Sequence, residues 1–551
     1  MGIAAREDAA AAPDLARPRP PLPPLPVTQQ RTLRWTIWHS CAVAAIAAVA
    51  ASWSAIWNAP LNIDEEVTIS VAEKSVTTIW HVVWGARGGG PLHFLLEHFA
   101  LMWPGGLVAL RVPSLVFFVL ALPGTALLAR ELVGEGEARL APVLLALGPL
   151  AVSYATFGRP HMLFLATFVW ATWFAFRAGR LGGWRRWALA GLLLASLAYI
   201  HPTAPLYAWI ALAAAFLYAW PSNRRAWVEA LPALAAFAAV SVPYYVHALG
   251  VLRSRYAVHE GAPRGRTYTG NSVQYDATHA LAPFPSWLFV ALALIGLLAL
   301  AQRRWRSAAI LAAMVVAPVV FFMFVPASNP SARFFTRYML PSEPAFSVLL
   351  ACGILALARL VRHRVAVAVV LLALLSAFEL TAVVQRRGEI SKLELPRLAK
   401  VVRGQAEGTV LFTPLGNVAP AGTFNALTRS RPPELLGRYL DLTVPRLEFV
   451  PDDSCAAVGA FLASKEQRAR GLWVFYITPR WDFAREDPFR GVRGVTATPV
   501  GGNYVVVRSH RLRPPWRLLR LGARLRGIWA QFDPADTDAA TLAATDRCRR
   551  R

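Results

Sequence analysis

An acidic triplet, Asp64-Glu65-Glu66, stands a few residues beyond the first long apolar run of the chain. A carboxylate at a membrane boundary, facing a water-filled cleft, is placed to take a proton from a hydroxyl group. The plainer account is that acidic residues solvate a loop. Further pieces follow in order: Gly90-Pro91-Leu92-His93-Phe94-Leu95-Leu96, Leu110-Arg111-Val112-Pro113-Ser114, Gly158-Arg159-Pro160-His161-Met162-Leu163, Tyr199-Ile200-His201-Pro202 and Thr336-Arg337-Tyr338-Met339-Leu340-Pro341. Arginines at such positions either grip an anion through a planar fork of donors or snorkel to lipid headgroups. His93, His161 and His201 match no metal-ligand spacing. A histidine near a membrane boundary is more often a hydrogen-bonded interface residue than a ligand, so neither a cofactor nor an obligatory metal is expected.

The elements that must position these residues are membrane helices. The chain has 551 residues, of which 56% are hydrophobic and 16% charged, where a soluble protein carries about a quarter charged. Apolar runs such as Ala42–Trp57, Leu107–Leu128 and Val365–Val384 are long enough to cross about 30 Å of hydrocarbon. The net charge of +25 comes from arginines dispersed between those runs, which fits membrane orientation and not nucleic acid. The basic connectors Arg177–Arg186, Ser222–Arg225, Gln302–Arg306 and Arg359–Arg364 are expected on the cytoplasmic side. Tyr154–Arg159, His201–Pro202, Gly250–Pro283 and Pro326–Leu340 then face outward. This alternation requires Pro91–Trp103, which carries His93, Glu97 and His98, to be a helix lying at the interface within a long outward loop over 58–106.

The expected architecture is a polytopic α-helical membrane protein with about eleven transmembrane helices and a small C-terminal α/β extracytoplasmic domain. Residues 1–32 read as a disordered Pro/Ala-rich cytoplasmic extension, 33–385 as the transmembrane domain, and 386–510 as the α/β domain with strands at Thr409–Pro414, Leu472–Thr478 and Tyr504–Arg508. Residues 511–551 form a basic tail, in which Pro515–Phe532 is amphipathic and rests either on anionic lipid or on its own domain. Cys41 and Cys352 are apolar fillers within spans. A disulfide between Cys455 and Cys548 is open if their region lies outside the cytoplasm.

The succession of pieces resembles the GT-C glycosyltransferases of the protein O-mannosyltransferase and lipid A aminoarabinose-transferase type. Those families run DE, PPL-Y-LL, LR-PS, ARPY-L, Y-H and RY-LP over a comparable stretch, here residues 35–385. The resemblance implies an inverting transfer of a sugar from a polyprenyl-phosphate donor to an extracytoplasmic acceptor hydroxyl of a cell-envelope glycan, a lipid or a protein. It makes Asp64 the base, with Glu65 beside it, and Arg87, Arg111, Arg159, Arg333 and Arg337 the donors to the leaving phosphate. His93, Glu97, His161, His201 and Tyr338 would line the substrate cleft. Arg253, Arg255, Arg264 and Arg266 lie in a long polar loop that reads mainly as solvated. Two departures stand out: Gly88-Gly89-Gly90 replaces a lysine before the PPL piece, and Thr156-Phe157-Gly158 lacks the acid many relatives have before the arginine. Glu97 is the nearest substitute for that acid. The implied setting is a bacterial inner membrane, with the N-terminus cytoplasmic and membrane lipids, but no nucleic acid, as partners. A flippase of lipid-linked sugars is the rival reading. It would need midplane charges, broken helices or an internal repeat, none of which is evident. An inactive envelope-assembly scaffold is the other rival, against which the intact Asp64-Glu65 pair argues.

Overall fold

A computed structural model describes residues 36–58, 63–87, 90–220, 226–257, 270–328 and 336–391, together with strands at 409–414, 447–449, 471–476, 495–500 and 504–509. The Pro/Ala-rich N-terminal extension, the segments between the C-terminal strands, Pro515–Phe532, Cys455 and Cys548 lie outside the described residues.

Helices that are apolar all round are the elements a bilayer favours, because lipid replaces water on the outer face. In α1 (Ile37–Asn58), Ile37, Ala44, Ala48, Ala51 and Ile56 are buried, whereas Trp38, Ile46, Trp53 and Trp57 stay exposed. The stretch over 58–106, expected as a long loop with one interface helix at Pro91–Trp103, is helical over more of its length. It holds α2 (Ile63–Ala72), α3 (Val76–His81) with a π-helical turn over Val82–Arg87, and α4 (Pro91–Leu101). Then come α5 (Leu107–Leu132), α6 (Glu135–Leu147) and α7 (Pro149–Ala155), the last two bent by 59° at Gly148-Pro149. Proline cannot donate to the helix ladder, so the chain breaks there. The Glu343 carboxylate accepts from the Ala151 N–H (3.4 Å) across the break.

The chain continues through α8 (His161–Leu181), α9 (Trp184–Ser196), α10 (Ala204–Ala219) and α11 (Ala226–Ala257). It ends the helical part with α12 (Gly270–Leu281), α13 (Ser286–Ser328), a 3-10 stretch over Thr336–Ser342, α14 (Glu343–Ala358) and α15 (Arg364–Ser391). The connector expected over Gly250–Pro283 is thus partly helical, taken up by the end of α11 and by α12. Among the described residues seven helices are long and apolar enough to cross a membrane, or eight if α6 and α7 form one bent span. That is fewer than the eleven expected. The difference arises because α9 and α10 are short and because α13 runs on through a non-helical residue, Arg304 (φ −145°, ψ 69°).

Strands form at β1 (Thr409–Pro414), β2 (Leu447–Phe449), β3 (Gly471–Tyr476), β4 (Val495–Val500) and β5 (Tyr504–Ser509), in the order β2-β1-β3-β5-β4. The first three in space are parallel, and β5 and β4 are antiparallel to their neighbours. β2 and β4 were not evident from sequence: β2 has only three residues, and Pro499 interrupts the strand pattern of β4. An edge strand tolerates that proline, because its outer side needs no ladder bond.

Among the described residues, α13 and α14 cross in close contact. A Cβ built on Gly296 would lie 2.1 Å from the Leu349 carbonyl oxygen, and one on Gly353 would lie 2.1 Å from that of Leu292. Each helix meets the other backbone to backbone, the packing that small residues permit in lipid. Gly353→Leu should therefore cost about 3 kcal/mol or more and abolish the monodisperse, heat-stable protein in detergent. Gly250→Leu, at a position with open space around it, is the control that should leave size-exclusion and thermal-melt profiles unchanged.

Candidate functional site

The described motif pieces come together at the ends of α1, α5, α7, α8 and α10 and on the short helices α2 and α4. Their centre is an ion pair. Glu65 on α2 and Arg111 in the first turns of α5 are each only 1% exposed. Arg111 Nε donates to Glu65 Oε1 at 2.8 Å and Nη2 donates to Oε2 at 2.7 Å, a bidentate fork. Nη1 reaches the Ile56 and Ala55 carbonyls at 3.2 and 3.4 Å. These belong to the last turn of α1, where carbonyls lack helical partners and a cation is favoured. Arg111 was expected to hold a phosphate. Its guanidinium is instead turned inward, to Glu65 and the end of α1, so its work is to join three elements. Glu65, expected beside the base, is likewise consumed by this pairing.

The Gly158 N–H also donates to Glu65 Oε1, at 3.0 Å. A Cβ on Gly158 would lie 2.5 Å from Leu110 Cγ. This accounts for one departure from the family pattern: position 158 has no room for an acidic side chain, and what it supplies is a backbone donor to Glu65. The other departure has a similar cause. A Cβ on Gly90 would lie 2.3 Å from the Tyr199 carbonyl carbon, so the start of α4 rests directly on the Tyr199-Ile200-His201 segment. Ser114 Oγ donates to the Phe157 carbonyl at 2.7 Å, fastening the α5 motif to the turn before α8. Tyr207 Oη donates to the Tyr338 carbonyl, anchoring the 336–342 stretch to α10.

Within this frame the structure collects a layer of buried polar side chains. His93 and Glu97 lie one turn apart on α4, with Nδ1 and Oε1 3.7 Å apart. The His161 and His201 rings are 5.4 Å apart, and Tyr154 packs edge-on to His161 at 4.6 Å. Phe164 stacks on His201 at 5.2 Å, and Tyr338 meets it edge-on at 5.9 Å. His201 Nδ1 lies 2.8 Å from Thr203 Oγ1 and accepts from the Thr203 N–H at 3.3 Å. Arg159 Nη1 donates to Thr68 Oγ1 at 3.4 Å. Burial, with the Arg159 charge second, holds the His93 pKa well below the usual imidazole range. Burial and then the charges of Arg337 and Arg159 do the same to His201. Burial, followed by the Glu65 charge, raises Glu97 well above the usual carboxylate range. The layer is thus electrically neutral, with two arginine charges beside it.

Asp64 lies on the backbone of α2 and Arg87 on the π-helical turn, but both side chains lie outside the described residues, as does Arg333. Arg253 and Arg255 are on α11 with side chains outside the described residues, and Arg264 and Arg266 lie wholly outside them. Thr68, Tyr154, Phe164 and Ser114 belong to the site but were not singled out from sequence; Ser114 alone sat in a motif that could have flagged it. Among the described residues no group of three or more His, Cys, Asp or Glu is arranged to hold a metal ion.

Two outcomes follow. Glu65→Gln leaves the Arg111 charge buried without its counter-ion and should cost about 3–5 kcal/mol, read as early chemical unfolding in detergent. Replacing both residues by methionine should recover part of that loss. For Glu97, a folded pKa raised above the unfolded one means its stabilising contribution is full below about pH 4.3 and is lost as pH rises through the folded value. The lowered pKa values of His93 and His201 have the opposite sense, with stability lost as pH falls below about 6.5. Glu97→Gln should therefore melt higher than the parent on the alkaline side while leaving the acid limb in place, as followed by thermal unfolding across pH.

Residues 91–246 match the family model described as dolichyl-phosphate-mannose-protein mannosyltransferase. No curated protein matches the chain. ArnT from Cupriavidus metallidurans in the apo state superposes with a TM-score of 0.53 at 13% identity, over 86% of this chain and 97% of that one. The same protein bound to undecaprenyl phosphate gives 0.53 at 12% identity with the same coverage. The archaeal oligosaccharyltransferase AglB from Archaeoglobus fulgidus, in complex with an inhibitory peptide and a dolichol-phosphate, gives 0.46 at 12% identity over 87% and 75%, too loose a likeness to argue from. The chain thus shares the fold of ArnT over most of its length, and residues 91–246 resemble the mannosyltransferase family model, in line with the GT-C resemblance of its ordered motifs.

Proposed function

We propose that this protein transfers a sugar from a polyprenyl-phosphate carrier to an acceptor hydroxyl outside the cytoplasm, with inversion. The observation that carries this reading is the placing of Arg159 and Arg337 beside a buried neutral layer, next to the helix that bears Asp64. In the reaction the acceptor oxygen forms a bond to the anomeric carbon as the bond from that carbon to the phosphate oxygen breaks. Asp64 takes the acceptor proton. Arg159 and Arg337, joined by Arg87 and Arg333, hold the charge that develops on the leaving phosphate in a site with little water. A single displacement inverts the anomeric centre. The undecaprenyl phosphate bound to ArnT, a protein of the same fold, supports a lipid phosphate as the carrier.

The reading includes eleven crossings in a bacterial inner membrane, with the N-terminus inside and the C-terminal strands outside. The span from Ser286 to Phe324 has 39 residues and would measure about 58 Å as one straight helix, twice the hydrocarbon thickness. Its break at Arg304 makes two crossings of it. The bent α6–α7 pair, α9 and α10 supply the remainder. This orientation puts the basic connectors in the cytoplasm. The acceptor is a cell-envelope glycan, a lipid or a protein.

The test is transfer by the purified protein from polyprenyl-phosphate sugars to candidate acceptors. Asp64→Asn should lower the rate by about 10²–10⁴-fold, and near-parental turnover would remove Asp64 as the base. Movement of the lipid-linked sugar between leaflets without transfer would replace the enzyme by a flippase.

A further inference from the structure

The connectors Arg177–Arg186, Gln302–Arg306 and Arg359–Arg364 carry four, three and three arginines and no acidic residue. The fold gathers them at one end of the bundle, around the last turn of α5. Arg180 Nε lies 3.0 Å from Glu131 Oε1, which also accepts from Tyr218 Oη at 3.1 Å. The Leu132 carbonyl accepts from Ser307 Oγ at 2.7 Å and from Arg304 Nη1 at 3.4 Å. Just beyond it, Arg359 Nη2 donates to Glu137 Oε1 at 3.4 Å. This end lies opposite the motif site, since Arg111 and Glu131 stand near the two ends of α5, about 30 Å apart along the helix. We propose that it is a binding surface for anionic phospholipid, whose headgroup phosphates are held by the arginines that stack on tryptophan.

Positive charge alone would orient the chain across a bilayer; the placing of these arginines does more. The guanidinium of Arg185 lies over the Trp184 ring, 5.5 Å from its centroid, that of Arg306 over Trp305 at 5.2 Å and that of Arg177 over Trp173 at 5.5 Å. An indole settles at the headgroup level of a membrane, so a cation stacked on it is held at the depth of the lipid phosphates. Trp184 and Trp305 are 58% and 60% exposed, and Leu360 and Val365, in and beside the third connector, 80% and 77%. Apolar groups of that size exposed among arginines suit the boundary between hydrocarbon and headgroup, and suit neither a water-facing loop nor an acidic protein partner. The ion pairs printed by this end of the fold engage Arg130, Arg180 and Arg359. Among the described residues they leave Arg185 and Arg306 without an acid, open to an anion from outside the chain. No lysine occurs between residues 75 and 391, so every cation here presents the planar fork that grips a phosphate through two bonds. A cluster of basic groups between helix ends at the headgroup level is the chemistry that retains an anionic lipid.

The experiment is native mass spectrometry of the full-length protein in detergent, titrated with phosphatidylglycerol and with phosphatidylcholine of the same acyl chains. Phosphatidylglycerol should bind about tenfold tighter, the equivalent of one charge-assisted hydrogen bond. The double variant Arg185→Gln/Arg306→Gln should hold phosphatidylglycerol no tighter than phosphatidylcholine, whose unchanged binding reports that the protein is folded. Trp184→Leu/Trp305→Leu keeps every charge and should still lose about threefold of the preference, because the cations are no longer held at phosphate depth. A preference left whole by either double variant would overturn the inference. Equal binding of the two lipids by the parent would overturn it too, and would hand the surface to an acidic protein. Displacement of phosphatidylglycerol by millimolar inorganic phosphate would replace the lipid site by one for a free anion. None of these outcomes bears on the proposed transfer, whose residues lie at the other end of the bundle.

Discussion

A bidentate pair between Glu65 and Arg111, almost wholly removed from solvent, is the constraint around which the rest of the site is arranged. Two opposite charges so deeply buried are stable only if every remaining donor and acceptor is met. Here the ends of separate elements meet them: the carbonyls closing α1, the amide of Gly158 before α8, and the helices α2 and α5 that carry the pair itself. A charge pair contributes little net stability in such a setting, but breaking it is expensive. Its value lies in geometry, because four chain segments far apart in sequence cannot satisfy it in any other arrangement.

The same logic explains where this chain departs from the pattern of the enzymes it resembles. Gly158 and Gly90 stand where relatives carry or adjoin charged residues, and each is in backbone contact with a neighbouring segment that a side chain would displace. The positions are glycine for steric reasons. Nearby, the positive charges of Arg337 and Arg159 act on the buried His201.

Charge is therefore handled in two separate ways within a small volume. At the centre it is cancelled between Glu65 and Arg111. Beside it, burial and neighbouring charges keep His93, His201 and Glu97 uncharged, so that a neutral polar surface adjoins cationic arginines.

Much of this was legible in the chain alone. Apolar runs of membrane-spanning length, arginines confined to the connectors and the order of short motifs sufficed for the membrane class, the GT-C resemblance and most of the side chains now found together, because hydropathy and charge are local properties. Three strands of the C-terminal sheet were also readable from their β-branched runs, whereas β4 was masked by Pro499, an anomaly only its edge position resolves. What only the tertiary structure decided was which way each side chain turns. Arg111 and Arg159 stand alike in sequence, each an arginine beside a proline-bearing motif at a span mouth, yet one is paired with Glu65 and the other donates to Thr68. That choice depends on distances between segments 46 and more residues apart, set by helix crossings and glycine contacts that leave no periodic mark along the chain.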